Sequence, residues 1–343
     1  MNILLTSAGR RNYLVHYFRE ALAGAGYVLA ADASTEAPAL RDANYSFIVP
    51  PISDAGYIDA LISICKNNNV RLLIALNDLE LPVLAQNRDR FLEVGTIPVV
   101  SSPQVIDVCF DKWATHNFLQ QLGLGSPQTL LTLREAQAAL KTGSLAFPLV
   151  IKPRWGSASI GIDYVEDVDE LEMAYQLTKV RLMRTFLGEI SSKDPERCLL
   201  IQERLRGQEF GLDVVNDLDG RYVTTFIKQK LSMRAGETDR AVTLENEILQ
   251  SIGQRIGENL GHIGNLDCDV FVDGTNCCVL EMNPRFGGGY PFSHMGGANL
   301  PSALIAWAKN EPPDLEWLGL KPQITSAKCD RLVELKKLQD LSP

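Results

Sequence analysis

The acidic and amide side chains between residues 269 and 285 have the types and spacing of a metal site. An Asp-Gly pair at 273–274 separates two β-rich segments, so the sequence predicts a hairpin in which Asp269 and Glu281 are cross-strand neighbours. Glu281 and Asn283 are two residues apart and therefore face the same side of a strand. Hard oxygen ligands of this kind suit Mg²⁺, which completes its coordination with water and phosphate. A surface hairpin with ordinary solvated acids is the alternative.

A loop of small residues between two predicted strands is a second candidate binding segment. The strand at 148–153 contains Lys152, the loop at 154–161 is rich in glycine and serine, and a second strand follows at 162–165. Such a loop lets backbone amides close over phosphate oxygens, and the Lys152 ammonium adds a compact positive charge. The segment lacks the G-K-[ST] signature of a P-loop and returns to a strand. An ordinary hairpin loop is the alternative.

A strand crossover at residues 199–215 could hold a nucleoside. An apolar strand ends at Glu203, the chain turns at Gly207, and strand alternation resumes at Glu209. Backbone groups of Glu203 and Leu205 could hydrogen-bond a base, and Glu209 is placed for a ribose hydroxyl. A plain β-turn with surface acids is the alternative.

The first hundred residues alternate strands and helices, which indicates a parallel sheet with covering helices. The predicted strands are 3–6, 27–31, 47–49, 71–76 and 97–100. The predicted helices are one with an apolar stripe over 13–22 and two more over 55–66 and 80–91. The turn at 6–11 lies where such sheets bind ligands but lacks G-x-G-x-x-G. Asp32 is therefore either a ribose acid, as in NAD enzymes, or an acidic cap. Asp78 and Glu80 could meet a cationic group, or Asp78 could cap the next helix.

Length and composition indicate a globular protein of two or three domains. The chain has 343 residues, of which 45% are hydrophobic and 22% charged. Its net charge of −9 argues against a nucleic-acid or anionic-membrane surface as the main partner. The start does not resemble a signal peptide, no apolar run approaches a membrane span, and the seven cysteines contain no C-x-x-C pair. We therefore expect a protein of the reducing cytoplasm.

The order of these segments resembles the ATP-grasp superfamily, and within it the group of the carbamoyl-phosphate synthetase large chain. The motifs that carry the resemblance are Lys112, Lys152 with its loop, 203–209, Asp269 and 281–285. The resemblance implies an α/β fold, with an N-terminal Rossmann-like parallel-sheet domain followed by a two-lobed ATP-grasp α+β domain. The expected divisions are a pre-ATP-grasp domain over 1–110, a linker helix and lid lobe over 111–203, a metal-binding catalytic lobe over 204–310 and a C-terminal tail over 311–343.

The resemblance also implies roles for individual residues. Those expected to bind the nucleotide, from phosphates to adenine and ribose, are Lys112, Lys152, Gly156, Ser157, Ser159, Gly161, Glu203, Leu205 and Glu209. The expected metal ligands are Asp269, Glu281 and Asn283. The residues expected beside the transferred phosphoryl group and the acceptor are Arg285, Arg234 and Lys228, with Lys230 as the alternative to Lys228. The glycines at 287–289 either form a substrate-side loop or are a flexible connection.

The activity implied is ADP-forming ligation with ATP and Mg²⁺, or Mn²⁺ in its place. A small-molecule carboxylate would become an acyl phosphate, and an amine would then attack it to form a C–N bond. Only one ATP-grasp unit is present, without an internal repeat, which argues against paired phosphorylation. Neither nucleic acid nor membrane is an expected partner, and a homodimer is left open. The alternatives are a non-catalytic ATP-binding regulatory protein and a nicotinamide-dependent enzyme that uses the N-terminal domain.

Overall fold

The computed structural model describes residues 1–156, 161–185 and 187–335. These residues form three sheets, one parallel with five strands and two antiparallel with four and six strands. The predicted α/β fold, with a parallel N-terminal sheet followed by a two-lobed α+β region, is confirmed. Within the described ranges, no helix is both long and apolar enough to cross a membrane.

The N-terminal sheet has the strand order β3-β2-β1-β4-β5. Its strands are β1 (Asn2–Thr6), β2 (Val28–Asp32), β3 (Tyr45–Ile48), β4 (Val70–Ala75) and β5 (Ile97–Val99). Its helices are α1 (Asn12–Leu22), α2 (Tyr57–Asn67), α3 (Leu81–Gln86) and α4 (Arg88–Glu93), and a 3₁₀ turn covers Pro38–Arg41. Apolar residues bury both faces of the central strands, as expected when helices cover a parallel sheet. The loops after β1 and β4 consequently meet at one edge.

The single helix predicted over 80–91 is wrong, because the structure divides it into α3 and α4. The break lies at Asn87, whose backbone leaves the helical region at φ −110° and ψ 14°. The Asn87 side chain donates a hydrogen bond to the Val83 carbonyl, 2.9 Å away, and so closes the end of α3. Asparagine competes with the helix in this way, a local effect that apolar periodicity does not reveal.

Two helices connect this sheet to the lid lobe. They are α5 (Pro103–Phe110) and α6 (Lys112–Gln121). The lid sheet has the order β6-β9-β7-β8, with β6 (Thr129–Leu130), β7 (Leu149–Pro153), β8 (Asp163–Val165) and β9 (Leu199–Glu203). The helices α7 (Leu133–Thr142), α8 (Val168–Leu182) and α9 (Gly188–Ser191) accompany it, with a 3₁₀ turn at Pro195–Arg197. β7 and β8 pair antiparallel, which confirms the predicted hairpin.

The lobe expected to be catalytic, called the catalytic lobe below, is built on the six-stranded sheet β14-β13-β10-β11-β12-β15. Its first five strands in chain order are β10 (Gln208–Asn216), β11 (Tyr222–Arg234), β12 (Glu237–Leu244), β13 (Gly264–Asp273) and β14 (Asn276–Asn283), with α10 (Glu247–Leu260) between β12 and β13. Alternation along β10 places Leu212 and Val214 in the core beneath α10. Glu209, Gly211 and Asp213 lie on the opposite face. One face of the sheet is therefore apolar and the other carries the charged residues.

The end of the described chain joins both halves of the molecule. It contains α11 (Tyr290–Met295), α12 (Leu300–Ala308), a 3₁₀ turn at Leu315–Leu318 and β15 (Thr325–Ala327). Leu300 and Leu304 of α12 belong to the same buried cluster as Leu14 and Phe18 of α1. β15 pairs with β12, so part of the predicted 311–343 tail adds a strand to the catalytic sheet. The domain boundaries themselves stay a prediction.

Candidate active site

The hairpin predicted around residues 273–274 is present and aligns the expected metal ligands. β13 and β14 pair antiparallel, with Asp269 opposite Glu281 and Asp267 opposite Asn283. Gly274 has φ +59°, a conformation that glycine adopts without strain in a tight turn. Nδ2 of Asn283 lies 3.4 Å from Oε1 of Glu281. The predicted cross-strand neighbours are thus confirmed, and two carboxylates and an amide share one face.

Asp267 is a member of this group that the sequence interpretation missed. It lies two residues before Asp269 and therefore on the same face of β13. A Cβ at Gly287 would lie 2.1 Å from the Asp267 carboxyl carbon, so only glycine fits against this side chain. The spacing of Asp267 and Asp269, two residues apart on a predicted strand, was a signal that both carboxylates lie on one face. The first of the three glycines at 287–289 therefore has a packing role.

Arg285 connects the catalytic lobe to the N-terminal domain through two ion pairs. Its guanidinium lies 2.9 Å from Asp78, in the loop after β4, and 3.1 Å from Asp267 on β13. Burial lowers the pKa of Arg285, but the two aspartates outweigh it, so its pKa is raised overall. The arginine is held in a fixed position at the junction of the two domains.

The other acids at the edge of the N-terminal sheet also contact groups of the same chain. Glu80 is fully buried and accepts a hydrogen bond of 2.6 Å from the Tyr57 hydroxyl, and burial raises the pKa of Glu80 to about 7. Asp32 accepts hydrogen bonds from the backbone amides of Gly9 and Ser34, each 2.8 Å long. Asp32 therefore fixes the loop after β1, as expected for an acidic cap.

Lys230 points into the charged face of the catalytic sheet. Its ammonium lies 2.6 Å from Oε1 of Glu209 and 2.6 Å from Oδ1 of Asp269. Burial raises the pKa of Asp269 to about 7, and nearby Asp267 adds to this effect, while Lys230 opposes it. For Lys230, the two carboxylates outweigh burial and raise its pKa. Of the two lysines left open by the sequence, Lys230 is the one beside the expected metal ligands.

Lys228 is enclosed by its own partners. Its side chain has no exposed surface, and its ammonium lies 2.7 Å from Oδ2 of Asp213 and 3.4 Å from the Ser293 hydroxyl. Asp213 also accepts hydrogen bonds from Ser293 and from Asn265, 2.6 Å and 3.1 Å long. A Cβ at Gly289 would lie 2.7 Å from the Lys228 Cε, which explains the third glycine. The lysine expected in catalysis belongs to a sealed structural cluster.

The lid lobe contributes Lys152 and the start of the small-residue loop. Lys152 on β7 is 5% exposed, and within the described residues its ammonium makes no hydrogen bond or ion pair. Burial, together with the positive charge of Lys112, lowers the pKa of Lys152 to about 8, against the influence of Glu281. Lys112 donates a hydrogen bond to the Gly156 carbonyl. The two lysines and the hairpin carboxylate therefore lie near one another.

The loop itself is anchored to the linker helices. Arg154 forms an ion pair of 2.7 Å with Asp111, and the amide of Lys112 donates to the Arg154 carbonyl at 3.0 Å. Gly156 and Gly161 both have positive φ, +97° and +64°. The expected phosphate contacts Ser157 and Ser159 lie outside the described residues.

The crossover that follows β9 borders a cavity of about 650 Å³ between the lid and the catalytic lobe. Glu203 and Leu205 line it together with Phe271 and Cys278 of the hairpin. The Glu203 carboxylate accepts a hydrogen bond of 2.8 Å from the Gln128 amide, which fixes its position. The lining includes none of Lys152, Lys230 or Asp269, so the cavity adjoins only the residues expected to contact the base and not those expected at the phosphates or the metal.

Sequence comparisons assign the family. The profile of the ATP-grasp domain matches residues 109–289, more than half of the chain, and that of the PylC-like N-terminal domain matches residues 3–100. The chain belongs to the ATP-grasp family. It is 26% identical over 204 residues to the carbamoyl phosphate synthase large chain of Helicobacter pylori, which covers 57% of this chain and 18% of that protein. The chain thus spans about a fifth of the length of the curated relatives it matches.

Solved structures share the ATP-grasp fold at low sequence identity. The biotin carboxylase domain of a Hydrogenobacter thermophilus 2-oxoglutarate carboxylase, solved with MgADP and bicarbonate, superposes with a TM-score of 0.71 at 14% identity, covering 94% of this chain and 72% of that one. An L-amino acid ligase from Bacillus licheniformis superposes with a TM-score of 0.69 at 19% identity, covering 94% and 78%. These likenesses extend over both the N-terminal and the ATP-grasp domains.

The hairpin oxygens suit the magnesium ion that ATP-grasp enzymes use. Within the described ranges, no group of three or more His, Cys, Asp or Glu side chains could hold a metal ion. The expected set has two carboxylates and one amide. Glu281 and Asn283 fit, because their oxygens are hard donors on one strand face and their mutual hydrogen bond is long. Asp269 fits by type, but it shares its carboxylate with Lys230.

Arg234 lies apart from the group that the structure brings together. It is 55% exposed at the tip of the β11–β12 hairpin, with Asp330 at 2.9 Å and Asp239 at 3.2 Å. Arg11, which the sequence interpretation left without a role, lies closer to Arg285. Arg11 follows β1 and donates a hydrogen bond of 2.7 Å to the Tyr13 hydroxyl. Burial and nearby Arg285 lower the pKa of Arg11, but Tyr13 outweighs them, so its pKa is raised overall.

Proposed function

We propose that this protein is an ATP- and Mg²⁺-dependent ligase that joins a small-molecule carboxylate to an amine and releases ADP and phosphate. The observation that carries the proposal is the buried side chain of Lys152, whose ammonium has no ion-pair partner within the described residues and lies near Lys112 and Glu281. A buried cation without a partner is costly unless an anion is supplied. The polyphosphate of ATP would supply it.

The remaining assignments are those that the family resemblance implies. Glu203 and Leu205 would contact the adenine and Glu209 the ribose, while Lys152 and Lys112 neutralise the phosphates. Glu281, Asn283 and Asp269 would hold Mg²⁺, which would neutralise charge on the phosphate groups as a Lewis acid. The proposal also includes a cytoplasmic location and a homodimer. It further includes Mn²⁺ as a replacement for Mg²⁺.

The chemistry requires positioning more than a protein nucleophile. The substrate carboxylate oxygen forms a bond to the γ-phosphorus as the bond to the ADP oxygen breaks. The amine nitrogen then bonds to the acyl carbon, the carbon–oxygen bond to phosphate breaks, and the amine loses a proton. Arg285, fixed by Asp78 and Asp267, would stabilise the phosphoryl group through its guanidinium.

The test measures ADP release with pairs of carboxylates and amines, including amino acids, in the presence of ATP and Mg²⁺. We expect release that requires both members of one pair. ATP binding without release for any pair would favour the regulatory alternative. Binding of NAD in place of ATP would favour the nicotinamide alternative.

Arg285→Ala sharpens this test. We expect turnover to fall by about 100-fold or more while ATP affinity changes little, because the guanidinium acts mainly in the transition state. Removal of Arg285 also leaves two aspartates unpaired, so the melting temperature is measured on the same preparation. A less stable protein with unchanged turnover per folded molecule would show that Arg285 is only structural.

A further inference from the structure

Lys230 links the acid expected at the ribose to an acid expected at the metal. Its ammonium lies 2.6 Å from both Glu209 and Asp269, and its side chain is only 7% exposed. The two acids retain 23% and 18% exposure. The lysine side chain is thus largely shielded from solvent, whereas each acidic side chain keeps exposed surface.

The sheet allows one lysine to serve both acids. Glu209 and Asp269 lie on neighbouring strands, β10 and β13, and Lys230 lies on β11 at the other side of β10. Phe210 of β10 pairs with Gln229 of β11, so Lys230 comes next along β11 on the side of Glu209. Its ammonium also reaches Asp269, so the Lys230 side chain spans β10 to β13.

We propose that Lys230 is a positioning residue whose ammonium is divided between Glu209 and Asp269, so that Glu209 determines how readily Asp269 accepts a divalent cation. The inference rests on the proposed function, which assigns Asp269 to the metal. A cation at Asp269 competes with the ammonium for the same carboxylate. Glu209 reduces this competition because it holds the ammonium on the other side. The ribose acid thereby influences the metal site without being a ligand of the metal.

The inference predicts opposite effects for two substitutions. Lys230→Met removes the competitor, so Mn²⁺ should bind about ten-fold more tightly, equivalent to the loss of about 1.4 kcal/mol of competition. Glu209→Gln leaves the ammonium to Asp269 alone, so Mn²⁺ should bind roughly three-fold more weakly. In the double variant the second effect should disappear, because no ammonium remains to be redistributed.

The experiment measures Mn²⁺ affinity by electron paramagnetic resonance on the full chain without nucleotide. The four proteins of the cycle are the wild type, Lys230→Met, Glu209→Gln and the double variant. Lys228→Met is the matched control, because Lys228 lies two residues away on the same strand face but is paired with Asp213. Its Mn²⁺ affinity per folded molecule should equal that of the wild type.

Each result decides the inference. Unchanged Mn²⁺ affinity in folded Lys230→Met would overturn it. Glu209→Gln could also weaken Mn²⁺ binding three-fold both in the wild type and in Lys230→Met. That result would overturn the inference, because Glu209 would then act on the metal site directly and not through Lys230. If Lys230→Met does not fold, Lys230→Gln provides the same cycle. A wild-type protein that binds neither Mn²⁺ nor ATP would contradict the proposed function instead.

Discussion

Two buried lysines, Lys228 in the catalytic lobe and Lys152 in the lid lobe, have opposite surroundings. Lys228 has no exposed surface and contacts Asp213 and Ser293. Lys152 is 5% exposed and, within the described residues, its ammonium has neither an ion pair nor a hydrogen bond. Burial and nearby Lys112 lower the pKa of Lys152 to about 8. Among the described residues, the same side chain thus occurs once with an ion-pair partner and once without one.

The difference shows which buried charges belong to the fold and which to a ligand. A buried ion pair with additional hydrogen bonds needs nothing from outside the protein. A buried charge without a partner destabilises the folded protein, and such groups occur at functional sites. Lys228 therefore positions β10, β11 and α11, whereas Lys152 is available to an anion.

Replacing Lys228 should produce the largest effect. Lys228→Met leaves Asp213 as a buried charge without its cation, so the free energy of unfolding should fall by about 3–5 kcal/mol. ATP affinity per folded molecule should stay unchanged. Urea unfolding and ATP titration calorimetry on one preparation measure the two quantities.

Lys230→Met is the matched control for this measurement. Its two carboxylate partners remain partly exposed, so the loss of unfolding free energy should be below about 2 kcal/mol. If Lys228→Met and Lys230→Met lost equal amounts of unfolding free energy, the two lysines would not differ as a sealed and a partly exposed cluster.

The sequence predicted the elements that depend on local patterns. Alternation and the turn at 273–274 were enough for the hairpin that pairs Asp269 with Glu281. Alternation could not separate Lys228 from Lys230, because residues two apart share a strand face. Their difference arises from Asp213 and Ser293, which the fold brings to only one of them.

The sequence could not predict long-range partners either, because the fold and not a local pattern brings them together. Arg285 pairs with Asp78, which lies 207 residues earlier in the chain, and no local pattern connects them. Asp267 was accessible in principle, since it repeats the spacing of Asp269, but its close packing on Gly287 appears only in three dimensions. The break at Asn87 arises from one side-chain hydrogen bond.

Lys152 has no ion-pair partner within the described ranges, and its lowered pKa predicts a pH dependence of intermediate size. Deprotonation above about pH 8 removes the charge that attracts phosphate, so ATP affinity should fall about ten-fold between pH 7 and pH 9. In the absence of ATP, the contribution of Lys152 to folding stability changes with pH in the opposite direction to the ATP affinity. The unfolded chain binds more protons between about pH 8 and pH 10.5, so stability contributed by this group rises over that range.

Lys152→Arg is the control, because a guanidinium stays charged over this range. Calorimetry at several pH values should give a nearly constant ATP affinity for the variant. The same decline in Lys152→Arg would assign the titration to another group, with Lys112 the first candidate, since burial lowers its pKa as well.

Arg234 extends the comparison to a charge at the surface, where the smallest effect is expected. Its guanidinium is 55% exposed and pairs with Asp330 and Asp239 near the end of the described chain. Water and salt screen such pairs, so Arg234→Ala should change turnover by less than about two-fold. Asp330→Ala removes the same contact from the other side and should behave alike. A loss of turnover above about ten-fold in Arg234→Ala alone, with an unchanged melting temperature, would instead give Arg234 the catalytic role that the family resemblance implies. The hairpin tip would then have to approach Arg285 during the reaction, and exposure would no longer separate structural from functional charges in this protein.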